Sequence, residues 1–343
     1  MRRLLMSTGV GVLAAALTAG PALACGGLLG PDGAVNLLRT STLAAYHDGV
    51  EHYVTAFEFA GGGARFGSII PLPDVPTNVR KGGDWTLQRL AIETQPPQPV
   101  AELAFRNKAA LGDSVEVLEK VRIDALNVTI LEGGGDAVGR WAKEHGFNLP
   151  PDTPEVLDFY AERSPIFMAA AFDAKAARNR GFGTGDATPV HLTIPTDDPW
   201  VPLRILGLGK QSSERIEADV YLLTDGAPAL LPAPSGERGL EVEASRGASD
   251  DLLRDLRSDR GMDWLPKSDM HLTYLTIDAR AGALSYDLAI DASGLAAPSR
   301  LDAGLEDPGL PPTETPAWLP WLAAAAFGAA VLWGTNRLAG AGS

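Results

Sequence analysis

Cysteine is almost absent from this chain, which has one, Cys25, among 343 residues. A single cysteine excludes an intramolecular disulfide and a zinc site made of cysteine pairs. A fold without disulfides must be stabilised by its apolar core and its hydrogen bonds. With 45% apolar and 21% charged residues, the composition is that of a globular protein with a substantial core, and it excludes a disordered chain.

Basic residues are in the minority. The chain has 29 Lys and Arg against 43 Asp and Glu, and a formal net charge of -14. A surface of this charge repels phosphate backbones and anionic headgroups, so nucleic acid is not an expected partner. The simplest interpretation is a self-repelling surface that keeps the protein soluble, and the alternative is an acidic recognition patch.

The local motifs of common enzymes are missing. The sequence contains neither Gly-x-Ser-x-Gly nor His-Glu-x-x-His, which mark frequent classes of hydrolase. A strand pattern rather than a helix follows the glycine cluster Gly61–Gly63, so the cluster is not a phosphate loop. The acidic pairs Asp197-Asp198 and Asp250-Asp251 lack the spacing of a calcium loop. No cofactor is expected, although an active site built from separated strands would leave no local motif.

The first 24 residues have the three parts of a signal peptide. Arg2-Arg3 is the charged part, Leu4–Ala19 is the apolar part, and Gly20-Pro21 ends it. The small residues of Ala22-Leu23-Ala24 then occupy the positions that signal peptidase inspects. We expect cleavage before Cys25 and export of the residues that follow, and an uncleaved anchor is the alternative.

Cys25 would be the first residue of the exported protein, which is the position that carries the lipid in a lipoprotein. Lipoprotein signals usually place leucine three residues before the cysteine, whereas Leu23 stands two residues before it. A second anchor at the C-terminus would also make the lipid partly redundant. Lipidation of Cys25 is left open by the sequence.

The other long apolar segment, residues 317–334, predicts a transmembrane helix. Its length is at the lower limit for crossing a hydrocarbon core of about 30 Å. Trp318 and Trp321 lie at one end and Trp333 at the other, as interfacial aromatic residues do. Arg337 follows, so the positive-inside rule places the C-terminus in the cytoplasm and the body on the extracytoplasmic side. The alternative is a buried helix at the end of the domain.

Residues 293–316 lead to this segment and are rich in Ser, Gly, Pro and acidic residues, a composition typical of an extended, mobile stalk. Within them, Leu310–Glu314 is similar to the Leu-Pro-x-Thr-Gly signal that sortases cut, with Glu314 in place of the glycine. The tail, residues 335–343, holds one arginine. A chance match in a Pro-rich linker is the simpler interpretation.

The body, residues 25–292, is long enough for one large or two small domains. It opens with a predicted β-hairpin, because Val35–Tyr46 and Val50–Phe59 are rich in strand-forming residues. Asp48-Gly49 stands between them and favours the two-residue type I′ turn that matches the twist of paired strands.

The rest of the body combines strands with a few short helices. Further strands are predicted at Phe66–Pro73, Val121–Leu131, Ile166–Phe172, Pro189–Ile194, Val201–Leu208 and Ala218–Thr224, and a last hairpin pairs Met270–Ile277 with Leu284–Ile290. Helices are predicted after caps at Asp136, Thr153 and Ser249, and residues 84–94 fit either a helix or a strand. We therefore predict an α+β fold with mainly antiparallel sheet and a few short packed helices, plus the one C-terminal transmembrane helix.

Two of the five histidines flank the turn of the first hairpin. A two-residue turn pairs His47 with Val50 and His52 with Ala45, so both imidazoles point to the same face. Two imidazoles on one face could bind a metal together with carboxylates from elsewhere. The alternative is two half-exposed histidines on a polar face of the sheet. His47 and His52 are the candidate metal ligands, and catalytic residues are unknown.

Several stretches together resemble the bacterial family called domain of unknown function 2330. They are Ala24–Gly27, Tyr46–Tyr53, Ile69–Pro73, Trp141–Pro150 and Pro199–Arg204. The resemblance runs over most of residues 24–290. It implies an exported protein that is often tethered to the membrane, and it implies no established activity, so no catalytic residue is transferred.

The sequence thus favours a non-enzymatic binding or interaction domain on the extracytoplasmic side of a bacterial cytoplasmic membrane, with an unknown envelope partner or ligand. The alternative is an envelope hydrolase or a metal-dependent enzyme whose site is built from separated residues. A convergent pocket with histidines and carboxylates would favour the enzyme, and a flat or shallow face would favour the interaction domain.

Overall fold

The computed structural model describes residues 27–30, 33–34, 40–58, 66–94, 117–147, 149–179, 181 and 187–305. All of them belong to one compact unit that ends at Leu305. The predicted signal peptide, Cys25, the sortase-like stretch, the segment 317–334 and the tail lie outside the described residues. Within the part of the chain that is described, no helix is long and apolar enough to cross a membrane.

Two large sheets organise the unit. The six-stranded sheet has the strand order β2-β1-β5-β9-β8-β7, with β1 at Gly27–Gly30, β2 at Gly33–Ala34, β5 at Phe66–Pro71, β7 at Val117–Ile123, β8 at Leu126–Glu132 and β9 at Ile166–Phe172. The seven-stranded sheet has the order β14-β15-β12-β3-β4-β10-β6, with β3 at Thr40–His47, β4 at Val50–Glu58, β6 at Asn78–Lys81, β10 at Ala187–Pro195, β12 at Arg215–Thr224, β14 at Leu240–Gly247 and β15 at His271–Arg280.

A third, small sheet and five helices complete the described part. The small sheet has the order β11-β16-β13, with β11 at Trp200–Val201, β13 at Ala229–Leu231 and β16 at Leu288–Asp291. The helices are α1 at Thr86–Thr94, α2 at Gly135–Glu144, α3 at Thr153–Ala161, α4 at Ala174–Asn179 and α5 at Asp250–Ser258, and there are 3₁₀ turns at Arg204–Gly207 and Ala281–Ala283. The strand pairs are antiparallel apart from β3 with β12. The prediction of an α+β fold with mainly antiparallel sheet is confirmed for the described residues.

The unit is built in four layers, because each large sheet is apolar on both faces. The inner core lies between the two sheets and joins residues such as Met168 and Ile130 from one sheet to Leu192 and Leu222 from the other. Helices α2 and α3 cover the outer face of the six-stranded sheet, and α1 and α5 cover that of the seven-stranded sheet. Burial on both faces explains why several strands are almost continuously apolar.

The predicted strand Val121–Leu131 is wrong, because this stretch contains the turn of a hairpin. Strands β7 and β8 pair with the register Ile123↔Leu126, and Asp124 takes the turn with a positive φ of 53°. Aspartate is one of the few residues that adopt this backbone conformation readily. The sequence pattern did not indicate this turn, because Ala125, which is fully buried, continues the alternation of apolar residues.

Two further strand predictions were wrong. The stretch Val201–Leu208 forms one residue pair, Val201↔Leu288, and then a 3₁₀ turn, since Pro202 cannot donate to a ladder. Strand β15 pairs with β12 and β14, not with the segment Leu284–Ile290. The turn Ala281–Ala283 redirects the chain, and β16 joins the small sheet instead.

Helix starts were predicted to within a residue or two. Ser249 caps α5, as expected, by accepting a hydrogen bond from the N–H of Leu252. The cap of α2 is Gly134, and Asp136 stands in its first turn without a capping bond. Thr153 lies inside α3 and donates its hydroxyl to the carbonyl of Pro150. Of the ambiguous residues 84–94, Thr86–Thr94 form α1.

The first part of the predicted stalk is folded onto the unit rather than extended. Residues 293–305 form turns, and Ala303 is fully buried. The carbonyl of Ala303 accepts from the N–H of Asp287, and Arg163 donates to the carbonyl of Leu301. The apolar contacts and backbone hydrogen bonds of these residues offset the conformational entropy lost on ordering them. The prediction of an extended stalk, made from composition, did not take these contacts into account.

Candidate functional site

The end of the β3–β4 hairpin holds the residues that the sequence marks for chemistry. Asp48 and Gly49 have φ values of 51° and 76°, as a type I′ turn requires. The register pairs His47 with Val50 and Ala45 with His52. The predicted hairpin and register are confirmed, so His47 and His52 lie on the same face of the sheet.

His47 lies at the exposed tip of this hairpin, between two carboxylates. Its Nδ1 is 2.6 Å from Oδ1 of Asp225, and its Nε2 is 3.3 Å from Oδ2 of Asp48. The side chain of His47 is 31% exposed, whereas that of Asp48 is 87% exposed. Both ring nitrogens therefore face carboxylate oxygens at the surface of the protein.

His52 is buried and contacts a different set of groups. Its Nδ1 lies 3.0 Å from Nε2 of His191, and its ring stacks on Trp264 with centroids 3.5 Å apart and planes within 2°. Burial, with smaller contributions from Arg80 and His47, lowers the pKa of His52 to about 4. Burial, His52 and Arg80 lower the pKa of His191 to about 3. At neutral pH both imidazoles are uncharged, and one donates its N–H to the other.

Arg80 makes this histidine pair unfavourable for a cation. Its guanidinium donates to the carbonyl of Gly261 at 3.0 Å, next to the pair. Gly261 has a φ of 76°, and a Cβ there would lie 3.2 Å from Nε of Arg80 and 3.3 Å from Nδ1 of His191. A positive charge held this close repels a metal ion and stabilises the neutral imidazoles.

His47 and His52 thus share a face without sharing partners. Among the residues that the structure describes, no group of three or more His, Cys, Asp or Glu is placed to hold a metal ion. Two other histidines make local contacts. His145 stacks on Trp141 with centroids 3.9 Å apart, and Nε2 of His271 lies 2.8 Å from Oγ of Ser245.

Glu51, next to His52 but on the opposite face, is the group that sequence reasoning missed. It is fully buried, and neither carboxyl oxygen accepts a hydrogen bond of normal geometry. Burial raises its pKa from 4.5 to about 8, and the backbone N–H of Trp200 acts in the opposite direction. A signal was available, because Glu51 is in phase with Tyr53 and Thr55 on a strand that is buried on both faces.

The loop Thr196–Trp200 closes over Glu51. The hydroxyl of Tyr46 donates to the carbonyl of Thr196 at 3.0 Å, and the N–H of Thr196 donates to the carbonyl of Gly49 at 3.1 Å. Tyr46 and Glu51 are cross-strand partners. Two stretches that carry the family resemblance, Tyr46–Tyr53 and Pro199–Arg204, therefore meet at this carboxyl.

A second fully buried carboxyl, Asp287, lies directly before strand β16 of the small sheet. Its Oδ1 accepts hydrogen bonds from the N–H of Leu203 at 2.7 Å, the N–H of Arg204 at 3.0 Å and the hydroxyl of Tyr160 at 2.8 Å. Burial raises the pKa of Asp287 to about 6, against the effect of these donors and of Arg163. Asp287 holds the 3₁₀ turn that begins at Arg204 against α3.

Comparison with known proteins gives one family and a weak structural likeness. A family model described as "Uncharacterized protein conserved in bacteria (DUF2330)" matches residues 19–229, and no curated protein matches the chain. Among solved structures, the crystal structure of baculovirus P35 covers 74% of this chain and 96% of its own at 9% identity, with a TM-score of 0.38. The crystal structure of the caspase-8/P35 complex matches at 7% identity with the same TM-score of 0.38, and the match covers 74% of this chain and 95% of that chain. The expected resemblance is confirmed by the family match, and the chain belongs to DUF2330, a family of uncharacterised proteins conserved in bacteria.

Proposed function

We propose that this protein is anchored in the bacterial cytoplasmic membrane by residues 317–334 and that its extracytoplasmic body acts by binding an envelope partner. The address rests on the order of the sequence: residues 1–24 have the parts of a signal peptide, and an apolar segment flanked by tryptophans follows the body. Export followed by a stop-transfer segment gives this orientation.

The observation that supports a binding role is that the buried carboxylates Asp259 and Asp287 accept hydrogen bonds from backbone N–H groups. The carboxylate of Asp259 accepts from the N–H groups of Asp84 and Trp85 and from the hydroxyl of Thr86. Asp287 holds the turn at Arg204 in the same way. These carboxylates position backbone, as expected of a rigid framework that presents a surface.

The tip of the β3–β4 hairpin is the surface that we propose as the contact site. His47, Asp48 and Asp225 stand together on it, and they are carried by a tight turn at the end of a seven-stranded sheet. Sites built on strands hold their side chains more accurately than sites on long loops. We assign the contact with the envelope partner to this tip.

The membrane location and orientation are tested by expressing the full chain with a C-terminal tag in a bacterium and treating intact spheroplasts with protease. We expect the body to be cleaved from outside while the tag stays protected inside membranes. A variant that lacks residues 306–343 should be released in soluble form. A body that resists protease until the cells are lysed would contradict the proposal.

A metal-dependent activity is the second candidate, and one observation favours it. His47 and His52 share a face of the sheet, and His47 has two carboxylates within 3.3 Å. Mass spectrometry of the purified protein and of the His47→Ala, His52→Ala double variant decides between the two. A stoichiometric transition metal that is lost in the double variant would favour the metal enzyme. A protein without metal that folds in both forms would favour the binding domain.

A further inference from the structure

Two stretches of the body lack charged side chains altogether. Residues 226–236 and residues 292–299 contain no Asp, Glu, Lys or Arg, although 21% of the whole chain is charged. The first stretch holds β13, and the second follows β16. Where uncharged stretches with apolar side chains adjoin at a surface, they often mark a site of contact with another protein or with a membrane.

The small sheet brings the two stretches together. Strand β13 pairs with β16, with Ala229 opposite Asp291. Beyond the sheet, a Cβ on Gly294 would collide with the carbonyl oxygen of Ala227, so the lack of a side chain at Gly294 lets the two backbones approach closely. The two uncharged stretches therefore adjoin at the end of the small sheet.

Residues 293–298 form an apolar loop that holds its side chains outward. The side chain of Leu295 is 92% exposed, the highest value among the large apolar side chains that the structure describes, and the two alanines that follow it are exposed as well. The carboxylate of Asp291 accepts hydrogen bonds from the hydroxyl of Ser293 at 2.8 Å and from the N–H of Ala296 at 2.7 Å. The loop thus has a fixed shape, and a contact made through Leu295 requires little further ordering.

The end of the described body lies close to the apolar loop. The N–H of Leu305 donates to the carbonyl of Arg300 at 2.9 Å, and Arg300 is five positions after Leu295. Because each residue extends the chain by at most about 3.6 Å, Leu305 lies within about 25 Å of Leu295. The 11 residues 306–316 then span at most about 40 Å before the segment 317–334 begins. With that segment in the membrane, the apolar loop is within reach of the same membrane surface.

We infer that the apolar loop enters the outer surface of the membrane in which the protein is anchored, and that Leu295 lies at the boundary between the lipid headgroups and the acyl chains. This inference rests on the proposed anchoring by residues 317–334, and it adds a second contact between the body and the lipid. A lipid surface is the occupant that the anchoring favours, because the span keeps the body beside the lipid at a high effective concentration.

The contact is apolar rather than electrostatic. The chain has a net charge of -14, which repels anionic headgroups, and the charges of Asp291 and Arg300 on either side of the second stretch oppose each other. Apolar side chains that enter the membrane interface are stabilised by the area that they remove from water. The contact should therefore form on neutral lipid as well as on anionic lipid, and it should resist salt.

Spin labels on the full-length chain in lipid nanodiscs test this contact. Cys25→Ser removes the native thiol, and Leu295→Cys then carries the label. Ile92→Cys is the matched control, because Ile92 is also an apolar residue at the surface, 61% exposed, and lies on α1. Oxygen concentrates in lipid and a nickel chelate stays in water, so the ratio of their effects on the label measures its depth.

The ratio of the oxygen effect to the nickel effect should be severalfold higher at position 295 than at position 92. The difference should be the same in discs of phosphatidylcholine and in discs that also contain phosphatidylglycerol, at low and at high salt. With the label moved to Ala296→Cys, the further substitution Leu295→Asp should lower the ratio to that of the control, because a carboxylate does not enter the apolar region.

Three results would overturn the inference while the anchoring stands. The first is a chain that is incorporated into the discs and has equal ratios at positions 295 and 92. The second is dipolar broadening between labels at position 295, which would show that a second copy covers the loop. The third is shielding of this label from both oxygen and the nickel chelate, which would show that a protein surface covers it. A chain that is not incorporated into the discs would reject the anchoring itself, and the lipid contact with it.

Discussion

Two buried carboxyls, Glu51 and Asp287, differ in what surrounds them rather than in how deeply they lie. Both are fully buried. One oxygen of Asp287 accepts three hydrogen bonds, whereas Glu51 accepts none of normal geometry. Burial raises both pKa values, to about 6 for Asp287 and about 8 for Glu51. The contrast indicates that Asp287 is a structural anchor and that Glu51 is a group whose charge the fold does not accommodate.

The largest expected effect is the loss of the anchor. Asp287→Ala leaves the N–H groups of Leu203 and Arg204 and the hydroxyl of Tyr160 without their acceptor, so the free energy of unfolding should fall by about 3–5 kcal/mol. Asp287→Asn retains an acceptor oxygen and should cost about 1 kcal/mol. Urea denaturation at pH 7 measures both, and a cost below about 1 kcal/mol for the alanine variant would remove the anchor role.

The next effect is the pH dependence that Glu51 contributes. The folded protein keeps a proton on Glu51 that the unfolded chain releases above pH 4.5, so this contribution to stability falls as the pH rises and is lost by about pH 8. The slope is about 1.4 kcal/mol per pH unit, or about 3 kcal/mol between pH 5 and 7.5. Urea unfolding across this range should show a difference of that slope between the unmodified protein and Glu51→Gln. Parallel curves would mean that Glu51 titrates normally.

Removing one of the hydrogen-bond donors to Asp287 should raise the pKa of this carboxyl toward that of Glu51. Tyr160→Phe deletes the hydroxyl that donates to Asp287 and that accepts from the N–H of Ile205 at 2.9 Å. We expect a loss of about 2 kcal/mol in the free energy of unfolding and a further rise in the pKa of Asp287. An NMR titration of the Asp287 carboxyl carbon in this variant checks the direction, and a lowered pKa would contradict it.

The smallest effect is expected at the exposed hairpin tip. His47→Ala removes contacts with two carboxylates that are half or more exposed, so the free energy of unfolding should change by about 0.5 kcal/mol or less. Loss of partner binding without loss of stability would support a contact role for the tip. A thermal melt of the variant provides the measurement, and a large destabilisation would show that the tip is part of the framework.

Local patterns predicted much of the fold. The Asp-Gly turn, the first hairpin and the cap at Ser249 follow from interactions within a few residues, and they are confirmed. The misplaced elements depend on distant partners. Strand β15 takes β12 and β14 as neighbours, and nothing near Met270 in the sequence specifies this choice.

The candidate site was predicted in part. The register that puts His47 and His52 on one face follows from the turn. The contact of His52 with His191 and Trp264 joins elements far apart in sequence. The sequence places Glu51 in phase with Tyr53 and Thr55, but the lack of hydrogen bonds to its carboxyl becomes visible only in the folded structure.

The direct test of the account is a carbon-13 NMR titration of the side-chain carboxyls, with Glu51→Gln and Asp287→Asn used to assign the two signals. The account predicts that Glu51 titrates last among the carboxyls, at about pH 8, and that Asp287 titrates at about pH 6. A Glu51 signal that titrates near 4.5, or below that of Asp287, would contradict it.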